Sequence, residues 1–212
     1  MKTLIISAFP ACGKTYLFNN QNDLEFNTMY GKKRFSFLDS DSGRFSKHAG
    51  WEKEYVNHIE ANIGQVDFIF VSQHEEVLRE LQTRSVPFIV VAPESGEFYD
   101  KKEREKIHML TKQQWFGRFV LRDNTHISDM NAWLKTLSDN YDKWISVEHL
   151  TKHNPVAFFA LTAQQYLSDI IEDLYWKKET YSMAYVFNRN DSRTETPDYH
   201  KEKNDDYDST EA

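Results

Sequence analysis

The stretch Lys2-Thr3-Leu4-Ile5-Ile6-Ser7-Ala8-Phe9-Pro10-Ala11-Cys12-Gly13-Lys14-Thr15-Tyr16-Leu17-Phe18 decides the fold. Thr3 to Ala8 is a short apolar run closed by turn formers, which predicts a buried strand. Pro10 and Gly13 break it. A helix is then expected from Gly13 or Lys14, carrying Tyr16, Leu17 and Phe18.

Residues Ala8 to Thr15 satisfy [AG]-x-x-x-x-G-K-[ST], the Walker A phosphate-loop pattern. Average residue usage makes a chance match on the order of one in a hundred for a chain this long. Each part has a physical purpose. Successive amides around Ala11, Cys12, Gly13 and Lys14 form a nest for phosphate oxygens. The helix that starts there adds partial positive charge. Lys14 is placed to reach the β- and γ-phosphates and the Thr15 hydroxyl to ligate Mg²⁺. Ala8 is less permissive than glycine at positive φ, so it is expected to keep an extended backbone as the last residue of its strand.

Working outward, Arg34 to Leu38, Val66 to Val71, Val86 to Ala92 and Val156 to Leu161 read as four further strands. Helical spacing is clear for Trp51, Tyr55, Val56, Ile59 and Ile63, capped by Gly64, and for Val77, Leu78 and Leu81. Residues 98–122 read as a highly charged helix. Ser128 suits the N-cap of a helix bearing Met130, Trp133, Leu134 and Leu137. Thr162-Ala163-Gln164-Gln165 matches a capping box, expected to open a helix with Leu167, Ile170, Ile171, Leu174 and Tyr175. Five apolar strands alternating with helices predict an α/β fold with a parallel sheet covered on both faces.

The chain has 212 residues, enough for one good-sized domain, and a formal net charge of −7. That balance argues against a general nucleic-acid binder. Residues 188–212 carry eight acids and four bases and almost no apolar side chains, so an acidic, disordered tail is expected after a domain over 1–187. No apolar run approaches the roughly 18 residues of a membrane helix, and the apolar stretch Leu4 to Phe9 is short for a secretory signal. The lone Cys12 excludes an intramolecular disulfide and fits an intracellular setting. Cys12 lies inside the loop. It is either a small residue that fits there or a thiol whose pKa is lowered by the amides and Lys14.

Further candidates follow the second strand. Asp39-Ser40-Asp41 is either an Asp-rich turn or a functional pair: with this strand beside the first, its carboxyl end faces the loop. One carboxylate then accepts a proton from an attacking hydroxyl and another holds Mg²⁺. Arg44 and Lys47 are either surface charge or contacts to an acceptor's phosphate. Arg118 and Arg122, four apart, share a helix face and suit a lid over a transferring phosphoryl group. The third strand ends in Ser72-Gln73-His74 with no acid, and Asp67 lies at its other end. The metal's carboxylate is therefore assigned to Asp39 or Asp41, and His74 to packing or a helix start.

Through AFPACGKT, LDSDSGRFS, WFGRFVLRD and FFALTAQQYLSDII, residues 2–176 resemble small P-loop kinases of the nucleoside and nucleoside-monophosphate kinase group, in the compact form found in bacteriophages. The resemblance implies a P-loop NTPase fold with sheet order 2-3-1-4-5, Mg-ATP as donor, an acceptor segment after strand two and a short arginine lid near 98–124. It implies donor-phosphate roles for Gly13, Lys14 and Thr15, acceptor or metal roles for Asp39 and Asp41, and lid roles for Arg118 and Arg122. The expected activity is phosphoryl transfer to a nucleoside or (deoxy)nucleoside monophosphate. The alternatives are a polynucleotide 5′-hydroxyl kinase and a nucleotide-binding regulator with little turnover.

Overall fold

The computed structural model describes residues 3–28, 31–40, 42–45, 48–97, 99–122 and 127–177. Along the chain these form β1 (Leu4–Ala8), α1 (Lys14–Asn19), β2 (Phe26–Thr28), β3 (Gly31–Lys33) and β4 (Phe37–Asp39). A 3₁₀ turn at Ser42–Arg44 leads to α2 (Trp51–Asn62), β5 (Phe68–Val71), α3 (Glu75–Thr83) and β6 (Ile89–Pro93). Then come α4 (Lys101–Arg122), α5 (Ile127–Trp144), α6 (Val147–Thr151), β7 (Ala157–Leu161) and a 3₁₀ turn at Leu167–Asp169. A last helical stretch covers 171–177.

Five strands build one parallel sheet in the order β4-β5-β1-β6-β7, flanked by helices. Counted among themselves, the sheet strands lie second, third, first, fourth, fifth; the hairpin β2-β3, which the sequence reading lacked, shifts the running numbers. The strand LIISA is apolar almost throughout because it is central: every residue of β1 is buried, with Ile6 opposite Phe70 on one side and Ile89 on the other. The parallel registers bring the ends of β1, β4, β5 and β6 to one edge, so Ala8, Asp39, Val71 and Pro93 all point their following loops the same way.

Burial follows the helical spacing in α2 and α3. Trp51, Tyr55, Val56 and Ile59 face the core, as do Val77, Leu78 and Leu81. Ile63 does not: α2 stops at Asn62, Ile63 is its exposed C-cap, and Gly64 supplies the left-handed residue after it at φ 88°. Ser128 falls inside α5 rather than before it. The Thr162–Gln165 box forms its glutamine half, with Thr162 N donating to Gln165 Oε1 at 3.1 Å, but no α-helix follows directly. Leu167 N donates instead to Cys12 O at 2.9 Å, so a tertiary bond turns the chain toward the first loop and regular helix waits until 171.

On the β4 side the core is aromatic. Phe37 stacks between Phe68 and Phe70 at 5.4 and 5.5 Å, and Phe35 lies 4.6 Å from the Tyr175 ring. Asp67 belongs to this packing and not to a metal site. Its Oδ2 accepts from Ser36 N at 3.0 Å and Ser36 Oγ at 3.1 Å, and Lys33 Nζ stands 3.8 Å from its Oδ1. Asp67→Ala would strip the part-buried Ser36 amide and hydroxyl of their acceptor, so denaturant titration should show a loss of about 1–3 kcal/mol. An unchanged midpoint would refute this role.

Candidate functional site

The loop between β1 and α1 is shaped by two left-handed residues and gripped from outside by two distant segments. Ala8 is extended, as anticipated; the positive φ falls on Ala11 at 61° and Gly13 at 98°. A non-glycine residue at such a φ is strained by roughly 1–2 kcal/mol, so the surroundings must hold Ala11 there. They do so through backbone oxygens. Trp115 Nε1, from α4, donates to Pro10 O at 2.9 Å, and Cys12 O accepts from Leu167 N. Phe9 N donates to Val91 O at 2.8 Å and extends the sheet bonding by one residue. A Cβ at Gly13 would sit 3.6 Å from Tyr166, ordinary contact, so glycine is needed there for its backbone angle and not for space.

α1 begins at Lys14 and is only six residues long. Lys14 Nζ curls back and donates to Ala8 O at 2.7 Å and Phe9 O at 3.2 Å. Thr15 Oγ1 donates to Asp39 Oδ2 at 2.7 Å, joining the loop to the carboxyl end of β4. That contact comes about differently from the expectation. β4 is not beside β1; β5 lies between them, and Asp39, 8 % exposed, reaches Thr15 across its end. β5 supplies no acid there. Gln73 Nε2 donates to Ser7 O and Val91 O, each at 3.3 Å, and His74 caps α3 with its ring perpendicular to Trp51 at 5.6 Å.

Arg118 lies on the loop's outer side. Its guanidinium is sandwiched between the Trp115 ring at 4.1 Å and the Tyr166 ring at 3.8 Å, and Nη2 donates to Ala163 O at 2.8 Å. Its buried Nη1 completes no hydrogen bond among the described residues. Arg122 is the last residue of α4, and Arg44 closes the 3₁₀ turn after β4. Asp41 and Lys47, the side chains of Arg44 and Arg122, the ends of the lid segment at Phe98, Asp123 and Asn124, and the tail 188–212 lie outside the described residues.

At Cys12 the small, fitting residue prevails over the lowered thiol. The thiol is fully buried, and burial pushes its pKa up to about 12, outweighing the lowering by Lys14 and Arg118. The thiol is therefore neutral and shielded at neutral pH. N-ethylmaleimide at pH 7 should leave the native protein unmodified and alkylate it only after unfolding, as read by intact mass. Rapid alkylation of the native protein would contradict this.

Trp115 and Tyr166 are site residues that the sequence did not single out, and Tyr55 was read only as a core position of its helix. The Tyr55 phenol donates to Ser40 O at 2.5 Å and accepts from Ser72 N at 3.1 Å, tying β4 to β5 beside Asp39. For Tyr55 the only advance signal was an aromatic within a helical period, which any core residue shares. A cleft of about 360 Å³ lined by Glu97, Arg104, His108 and Asp142, among others, includes neither the loop nor Asp39.

The donor set near Thr15 suits a hard cation. A hydroxyl and one carboxylate are oxygen ligands of the kind Mg²⁺ takes while keeping several waters. Among the described residues no group of three or more His, Cys, Asp or Glu could hold a metal, so these side chains alone form no cage. Among the same residues no helix is long and apolar enough to cross a membrane. No family model, curated protein or solved structure matches the chain.

Proposed function

We propose that this chain is a P-loop NTPase-type phosphotransferase, with Mg-ATP as donor and a nucleoside or (deoxy)nucleoside monophosphate as acceptor. The observation that carries the reading is the 2.7 Å bond from Thr15 to Asp39 at the mouth of a strand–loop–helix bearing the Walker A octapeptide. Support also comes from the central place of β1, which sets that loop at the carboxyl edge of a parallel sheet, where α/β folds bind ligands.

Each residue's part follows from its chemistry. The loop amides hold the polyphosphate, and Lys14 exchanges Ala8 O and Phe9 O for phosphate oxygens. Thr15 and Asp39 are the residues that would hold Mg²⁺, which when bound neutralises charge between the β- and γ-phosphates. For a hydroxyl acceptor Asp39 also serves as proton acceptor; a phosphate acceptor is already ionised and has little need of one. Arg118, anchored by its two rings, brings a fixed positive charge to the loop's outer side. Asp41, Arg44 and Lys47 follow β4 and are assigned to the acceptor, Arg122 to the lid.

ADP release over a panel of nucleosides, monophosphates and a 5′-hydroxyl oligonucleotide tests the reading. Release that depends on a nucleoside or monophosphate supports it, and release with the oligonucleotide alone reassigns the acceptor. A second reading, a nucleotide-binding regulator, draws on the end of β5, where Ser72 and Gln73 replace a carboxylate. It is favoured if ATP binds and no acceptor yields ADP.

A further inference from the structure

Helix α4 carries a strip of apolar side chains that the described residues leave uncovered. Met109, Leu110, Val120 and Leu121 are 53, 43, 50 and 80 % exposed. Gln113, Gln114 and Gly117 lie exposed between them. At about 100° per residue, positions 109, 110, 113, 117, 120 and 121 share about a third of the helix circumference. The buried Thr111, Trp115 and Phe119 hold the opposite side. Charge is turned away from the strip. Lys112 and His108 reach Asp142, and Arg118 lies between Trp115 and Tyr166.

Gly117 gives an independent sign. Glycine weakens a helix interior. Here its φ is not positive, and a Cβ built on it meets nothing within 4 Å. Neither its backbone angle nor packing among the described residues calls for glycine at this point; close approach from outside does.

The spacing of the strip is also symmetric. Turned end for end about Trp115, position 109 falls on 121, 110 on 120 and 113 on 117. An antiparallel copy therefore sets Met109 against Leu121, Leu110 against Val120 and Gln113 against Gly117, each pair occurring twice, as a two-fold interface requires. It also sends the charged turns Lys101–Lys106 of the two copies to opposite ends. A parallel copy would bring Lys102 and Lys106 against their own like, which is costly. We infer that the outer face of α4 docks a second copy of this chain, antiparallel and about a two-fold axis, with Gly117 letting the two helices approach. From Met109 to Leu121 the strip is about 18 Å long. Paired, it buries on the order of 1,000 Å², the low end of specific interfaces, which points to a reversible dimer.

Sedimentation velocity of the full chain over about 1–300 µM should show a monomer–dimer equilibrium with a dissociation constant on the order of 10 µM. Leu110→Lys and Val120→Glu should each weaken it by about tenfold or more. Combined in one chain, the two changes face each other twice across the axis and should recover most of that loss, which a parallel or unrelated contact would not allow. Gly117→Gln separates the interface from the fold. A better helix former in open space should hold or raise the melting temperature of the dilute monomer, and its bulk should still weaken the dimer about tenfold. Circular dichroism checks that every variant is folded. A parent that stays monomeric throughout overturns the inference and leaves the strip to this chain's own residues after 177 or to a foreign protein. A dimer that none of these changes weakens overturns it as well, since it must form on another surface.

Discussion

Lys14→Ala is expected to weaken ATP binding by about 10²-fold while the protein stays folded. In the free protein the ammonium group is already satisfied, donating to Ala8 O and Phe9 O at the end of β1. On the proposed reading, binding would exchange these neutral acceptors for phosphate oxygens, so only the difference would count toward affinity. Hydrogen bonds to charged groups contribute about 1.5–3 kcal/mol each; a net of about 3 kcal/mol corresponds to about two decades. The carbonyls uncovered by the substitution lie at the edge of a loop held by Trp115 and Leu167, so the fold has independent support. Isothermal titration measures the affinity and a thermal melt the folding control. A folded variant with parental affinity would remove the basis of the phosphate-loop reading.

Asp39→Asn should abolish most turnover without unfolding the protein. The side chain is isosteric, and the amide oxygen can still accept from Thr15 Oγ1, so the tie across the end of β5 survives. The negative charge does not survive, and with it would go both the carboxylate proposed for the metal and the proposed proton acceptor. General-base loss alone accounts for about 10²–10⁴ in rate; for a phosphate acceptor the same fall arises through the metal. The two routes separate in a metal titration: raising Mg²⁺ restores part of the rate only in the second. Turnover equal to the parent's at limiting Mg²⁺ would exclude Asp39 from the chemistry.

How much of this was visible beforehand depended on whether a feature is local. The octapeptide, the strand before it and the acid at the end of β4 are encoded in contiguous runs, and the absence of an acid at the end of β5 narrowed the carboxylate to Asp39 or Asp41. The hairpin β2-β3 was missed because Phe26–Thr28 and Gly31–Lys33 are three-residue strands without a usable alternation; the Phe26 and Phe35 rings packed at 5.2 Å anchor it, a contact no periodicity displays. For Cys12 the small buried residue holds and the lowered thiol pKa does not, a choice out of reach of the sequence for a related reason. Charge near a thiol can be read from neighbours in the chain, but complete burial by remote side chains cannot, and here burial wins. Arg118 was singled out by its spacing from Arg122, yet the partners that fix it are Trp115 and Tyr166, one of them from beyond β7.

The external grip on the first loop has a consequence for synthesis. The bond from Trp115 to Pro10 spans 105 residues, and the bond to Cys12 awaits residue 167. A nascent chain therefore displays its octapeptide long before the groups that hold Ala11 in place have been made. The first loop reaches its observed shape only after residues 115 and 167 have emerged, so the earliest segment of the sheet matures late, on contacts from far along the chain.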